Sequence, residues 1–197
     1  MSLRSGHRMS ALRDEVKSES ARAGYLTFVW GEGPTETGVA IVGEAPGEEE
    51  ARQSRPFVGR SGRLLRTELA AIGLEPGKCW ITNVVKHRPT RDSTSGSVNR
   101  APNAKEIEFW RPVLSRELAI INPSYILCFG GVAANAVLVG FGKMSTWRGR
   151  WIVLPSGTWA MATYHPSYVM RAENFRDSEI KLQFREDLAR FAAECLP

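Results

Sequence analysis

Ten basic side chains, Arg52, Arg55, Arg60, Lys86, His87, Arg88, Arg91, Arg100, Arg171 and Arg176, fall in three stretches of chain that also carry Glu44, Glu50, Asn83 and His165. Cationic groups at that density can neutralise a phosphodiester backbone and set its register. Carboxylates, a neutral amide and an imidazole are the groups that read and protonate a ligand held beside it. The net charge of +5 and a pI near 9.4 favour the same polyanionic class of partner. The loop GEAPG at 43–47 is superficially like a phosphate cradle, yet it lacks the GxxxxGK spacing of one. Cys79, Cys128 and Cys195 are odd in number and far apart, which points to buried free thiols in a reducing cytoplasm rather than a disulfide. No apolar run reaches membrane-spanning length and no signal peptide is seen at the start, so a soluble protein with no membrane partner is expected.

Elements that position these groups follow from pattern. Val39–Val42 reads as a buried strand that stops at Gly43, because GEAPG can neither extend a strand nor open an ordinary helix. Ser61 is expected to cap a helix with Leu65, Leu69 and Ile72 on its apolar face and Gly73 at its end. Cys79–Val85 is a second strand, followed by a basic loop over 86–104. Asn103 with Glu106 forms a capping box for a helix through Leu118, kinked at Pro112 and ended by Asn122 and Pro123. Tyr125–Phe129 is a third strand, Gly130 and Gly131 a turn, and Val132–Leu138 a short helix stopped by Gly140. Trp151–Leu154 and Trp159–Thr163 make a hairpin-like pair, and a last helix runs from about Asp177 to Cys195. Residues 1–24 form at most a peripheral helix over 11–23. Strands alternating with helices over 197 residues imply one domain, 1–197, of three-layer α/β/α type with a central, mostly parallel sheet. The strand C-termini then share one edge, which collects the loops 43–60, 83–102, 130–131 and 164–176.

Four of these stretches, GEAPGEEE at 43–50, RPFVG at 55–59, ITNVVK at 81–86 and HPSYVMR at 165–171, resemble the signatures of the uracil-DNA glycosylase superfamily, closest to its family four. The resemblance spans about 39–190 and implies an enzyme that turns uracil out of DNA and hydrolyses its glycosidic bond in base excision repair. It implies that Asn83 reads uracil O4 and N3–H, that Phe57 stacks on the base, and that His165 donates to O2 as the leaving base gains charge. Ser167, Met170 and Arg171 match the family's DNA-binding segment, with Met170 or Arg171 entering the gap left by the base. Arg60, Lys86, Arg88 and Arg91 are expected to contact phosphates.

The chain also departs from the family. Ala45 stands where other members have a water-orienting carboxylate, so Glu44 becomes the candidate to hold water or stabilise the sugar cation. The backbone around Gly43, Glu44 and Ala45 is left to bind the base edge. Gly47 stands where some relatives exclude thymine with a tyrosine, and Glu50 matches the glutamate that replaces it. The four cysteines of the family's iron-sulfur cluster are missing, two of the matching positions being His87 and Trp110. No metal and no cofactor are therefore expected. The loop 88–102 has no histidine of the kind that traps the sugar in another branch, so turnover is expected. The expected partner is uracil-containing DNA, single- or double-stranded, met by a monomer in a nucleoid-associated, cytosolic setting. A damage-sensing binder with weak catalysis, a glycosylase of wider base range and a hydrolase of free nucleotides remain open.

Overall fold

The apolar runs become the parallel strands of one sheet in a computed structural model that describes residues 2–94, 96–138, 142–174 and 178–195. In chain order the elements are α1 (Ser2–Arg22), β1 (Val39–Gly43), α2 (Glu48–Gln53), α3 (Arg60–Ala71), β2 (Trp80–Asn83), β3 (Thr90–Ser93), β4 (Gly96–Asn99), α4 (Ala104–Ile121), β5 (Tyr125–Phe129), α5 (Gly130–Val137), α6 (Met144–Trp147), β6 (Ile152–Val153), β7 (Trp159–Thr163), α7 (Pro166–Asn174) and α8 (Ser178–Cys195). The sheet order is β2-β1-β5-β7-β6, and only β6 runs antiparallel to its neighbour.

Alternation along the strands divides the core into two. Ala40 and Val42 of β1 and Ile126 and Cys128 of β5 pack with Trp110 and Leu114 of α4 and with α1 and α5. Val39 and Ile41, with Leu127 and Phe129, face Leu65 and Leu69 of α3 and Phe184, Leu188 and Phe191 of α8. Strands buried on both faces explain their continuous apolar runs. The three-layer expectation holds.

Several elements differ from expectation for definable reasons. The N-terminal helix is longer and better packed than its polar sequence suggests, because Met9, Leu12 and Val16 form one buried stripe in the layer with α4. Gly59, not Ser61, is the N-cap of α3, since Gly59 O already accepts from Arg63 N at 2.9 Å. The first loop contains α2, whose first turn holds Glu48, Glu49 and Glu50, acids that suit a helix N-terminus. The stretch 86–104 is not wholly loop: β3 and β4 pair as an antiparallel ribbon. The capping box of α4 is present in both directions, Asn103 Oδ1 accepting from Glu106 N at 3.0 Å and Glu106 Oε2 from Asn103 N at 2.7 Å. That helix continues through Pro112 to Ile121. Gly140 and Asp177, expected at element ends, lie outside the described residues.

Candidate active site

The parallel register places Gly43, at the end of β1, beside Asn83, at the end of β2. Two further bonds, Val84 N to Gly43 O at 2.9 Å and Val85 N to Glu44 O at 3.0 Å, carry the alignment past the strands. A Cβ on Gly43 would overlap the Phe57 ring and the Asn83 amide oxygen, so the close approach of these groups requires glycine there. Across β5, β7 leads into His165, and Gly130 (φ 87°) lies so close that an added Cβ would stand 3.1 Å from the His165 Cβ. These strand ends border an open cavity of about 760 Å³ with polar and apolar lining in similar measure. Glu44, Ala45, Glu50, Phe57, Arg60, Asn83, His165, Ser167, Met170 and Arg171 all line it, while Gly43 is buried behind them.

The imidazole of His165 has a defined tautomer. Ser167 N donates to its Nδ1 at 3.1 Å and the Ser167 hydroxyl lies 2.8 Å from the same nitrogen, so Nδ1 accepts and Nε2 carries the proton. Burial, with the Arg171 charge adding to it, lowers its pKa to about 4. The ring is therefore a neutral Nε2–H donor near neutral pH. Asn83 is only 3% exposed, and among the described residues its amide has no hydrogen-bond partner. Glu44 is half-buried and likewise unpartnered there; burial raises its pKa, which the Arg171 charge partly opposes. Phe57 is buried at φ 54°, a backbone conformation that costs a non-glycine residue about 1–3 kcal/mol.

Glu50 is engaged differently. Its Oε1 accepts from Gly59 N at 2.7 Å and its Oε2 from Gly47 N at 3.1 Å, so one carboxylate ties the loop after β1 to the start of α3.

The expected phosphate contacts thin out. Lys86 is a correction: its side chain is completely buried and donates to Thr82 Oγ1 and Asn83 O, both at 2.7 Å, and to a carboxylate oxygen of Glu117. A charge this deep is stable only when paired, and it faces no solvent where DNA could reach it. Arg88 spans the ribbon, its Nε donating to Asn99 Oδ1 at 2.6 Å and one terminal nitrogen to Ser97 O at 3.2 Å. Arg52 pairs with Glu49, Arg55 with Glu32 and Arg100 with Glu106. Among the described residues, Arg60, Arg91 and Arg171 have no carboxylate within ion-pairing distance, and Arg91 stands exposed on β3, outside the cavity. Arg176 lies outside the described residues.

The positions matched to cluster ligands carry a closed network. Trp110 Nε1 donates to His87 Nδ1 at 2.9 Å, His87 Nε2 lies 2.9 Å from Glu106 Oε1, and Tyr25 stacks on the imidazole with ring centroids 4.1 Å apart. Burial lowers the His87 pKa, while hydrogen bonds from Arg100 foremost hold Glu106 down at about 2. No thiol is among these residues, and the imidazole nitrogens already have partners, so they do not fit an iron-sulfur cluster.

A profile of the "Uracil DNA glycosylase superfamily" matches residues 30–189. The chain belongs to that superfamily. Similar proteins include the "Type-4 uracil-DNA glycosylase" of Pyrobaculum aerophilum, 36% identical over 82% of this chain and 80% of its own length. That of Thermotoga maritima is 36% identical over 91% of each chain, and that of Archaeoglobus fulgidus 35% over 76% and 75%. Within this superfamily member, sequence reading named Arg100 as a cation of the rim but missed Asn99 and the ribbon that brings both to the cavity wall, whose stretch gave no signal beyond its charge. It also missed Arg66, which looks like an ordinary helix-surface cation but donates from Nε to Phe57 O at 3.0 Å.

Proposed function

We propose that the cavity takes a uracil turned out of DNA and that the chain hydrolyses its N-glycosidic bond, leaving an abasic site in base excision repair. The observation that carries this reading is the convergence of two unspent hydrogen-bonding groups, the Asn83 amide and the His165 Nε2–H, with the Phe57 ring on one cavity. An amide offers one donor and one acceptor, the complement of uracil O4 and N3–H; cytosine presents an amino group and a bare nitrogen instead. As the C1′–N1 bond breaks, its electron pair moves onto the base, and a donor already aimed at O2 stabilises that anion without reorganisation. Water adds to C1′ and gives up a proton. Glu44 is suited to receive it, since a carboxylate with a raised pKa is the stronger base.

Phosphates fall to Arg60, Arg91 and Arg171, with Ser167 occupied as the partner of His165. Either Met170 or Arg171, both on α7, fills the gap left in a duplex. Glu50 acts as the fastener of the pocket mouth rather than as a contact to the base edge. Action as a monomer on single- and double-stranded DNA in the cytosol, with no metal, completes the reading.

A panel of oligonucleotides with uracil, thymine, hypoxanthine or xanthine, opposite each base and single-stranded, followed by alkaline cleavage, tests it. Excision of uracil from both kinds of strand is expected. Binding without strand scission would support a second reading, a damage sensor, which Ala45 favours because the water-orienting carboxylate is missing there. The purified protein should be colourless and free of stoichiometric iron.

A further inference from the structure

Three non-glycine residues among those described adopt the left-handed backbone conformation: Ser54, Phe57 and Asn122. Ser54 and Asn122 are the C-caps of α2 and α4, where that conformation is the common way to end a helix. Phe57 caps nothing. An aromatic residue held there needs surroundings that over-determine its backbone.

Arg66 of α3 supplies them. Its Nε donates to Phe57 O at 3.0 Å, and one terminal nitrogen donates both to Pro56 O at 3.1 Å and to Glu32 Oε1 at 2.7 Å. Glu32 is itself rooted in the sheet, its backbone exchanging bonds of 2.9 and 2.8 Å with Ile81 of β2. From the other side Gly62 fits under the same peptide, since a Cβ there would strike the backbone of Phe57. The ring ends edge-on to Phe129, with centroids 6.4 Å apart. Arg66 does not line the cavity.

We propose that Arg66, braced by Glu32, is a positioning residue for the base-stacking ring, acting through the carbonyls of Pro56 and Phe57 and touching neither base nor sugar. This rests on the reading of Phe57 as the stacking platform. A planar fork meets two adjacent carbonyls and a carboxylate at once, which a lysine's single ammonium cannot do in the same geometry. Misplacing a ring by about an ångström is enough to cost on the order of a hundredfold in rate.

The test is a double-mutant cycle read by single-turnover excision from a uracil oligonucleotide, with parent, Arg66→Ala, Phe57→Ala and the double variant. Arg66→Ala should slow excision by roughly ten- to a hundredfold in the parent, and by less than about threefold once Phe57 is gone. Millimolar guanidinium should restore much of the rate to Arg66→Ala and none to Phe57→Ala. If Arg66→Ala does not fold, Arg66→Lys runs the same cycle, keeping a charge beside Glu32 but not the fork. An equal loss in both backgrounds, or no loss in the parent, overturns the proposal while leaving the stacking role of Phe57 standing. A parental rate from Phe57→Ala instead removes the stacking reading, and the proposal with it.

Discussion

His87 and His165 are both held neutral by burial, and they use their nitrogens differently. His87 accepts at Nδ1 from Trp110 and meets Glu106 at Nε2, so its hydrogen-bonding capacity is consumed inside the protein. His165 accepts at Nδ1 from Ser167 and keeps its Nε2–H for whatever enters the cavity. The same contrast separates Glu106, clamped by Arg100 and Asn103, from Glu44, whose carboxylate has no hydrogen-bond partner among the described residues. Residue type does not distinguish structural from reactive groups here. What distinguishes the two sets is whether the fold has already satisfied their side chains, since an unpaired polar group that lines a cavity is still available to a ligand.

Substitutions in the two networks should therefore have opposite signatures. The largest effect is expected from Asn83→Asp, which removes the donor to O4 and faces it with a carboxylate: uracil excision should fall by about 4 kcal/mol in barrier. Weak cytosine excision should appear, since the acid accepts from the N4 amino group and, when protonated, donates to N3. Parental uracil excision by this variant, measured in single turnover, would remove Asn83 from base reading. His165→Ala should lower the same rate by about 3 kcal/mol with DNA affinity and melting temperature nearly unchanged. His87→Ala should do the reverse, costing about 2 kcal/mol of stability in a denaturant titration through the unpaired Trp110 and Glu106, with the rate per folded molecule retained.

A pH experiment sharpens the pair. The unfolded chain binds a proton on histidine near 6.5, whereas folded His165 does not until about 4. Stability linked to this group is thus fully present above 6.5 and is lost as pH falls from there towards about 4. Imidazole nitrogen NMR, assigned by substitution, should report an Nε2–H tautomer at His165 that persists below 6.5. A titration centred at that value would contradict the buried donor. The smallest effect belongs to Arg171→Ala, about 1 kcal/mol on duplex substrates and less on single strands, because only a duplex leaves a gap to fill. Equal losses on both would assign Arg171 to phosphate contact alone.

The strands were legible because burial on both faces leaves continuous apolar runs, and Gly43 and His165 follow where two of them break; the end of β2 at Asn83 was not, since Val84 and Val85 carry its run on and the strand was expected to reach Val85. The capping box at Asn103 was legible for a similar reason, being local in sequence. Lys86 was not. Its burial depends on Glu117, thirty-one residues later, and nothing near Lys86 announces that partner. The ribbon of β3 and β4 is mostly polar and exposed, so its pairing leaves little trace in hydrophobic pattern. The fastening of Phe57 joins residues from three separate stretches of chain, which no local spacing encodes.

The single carboxylate of Glu50 between Gly47 N and Gly59 N makes one side chain the spacer between two stretches of chain that line the cavity. The two loops stand apart by the width of that carboxylate, which fills the space between them. An aspartate at this place could keep both bonds only by drawing the loops together. A glutamine would keep the length but present an amide hydrogen to a backbone N–H, forcing one loop to let go. The separation of two cavity-lining loops thus hangs on the length of one side chain.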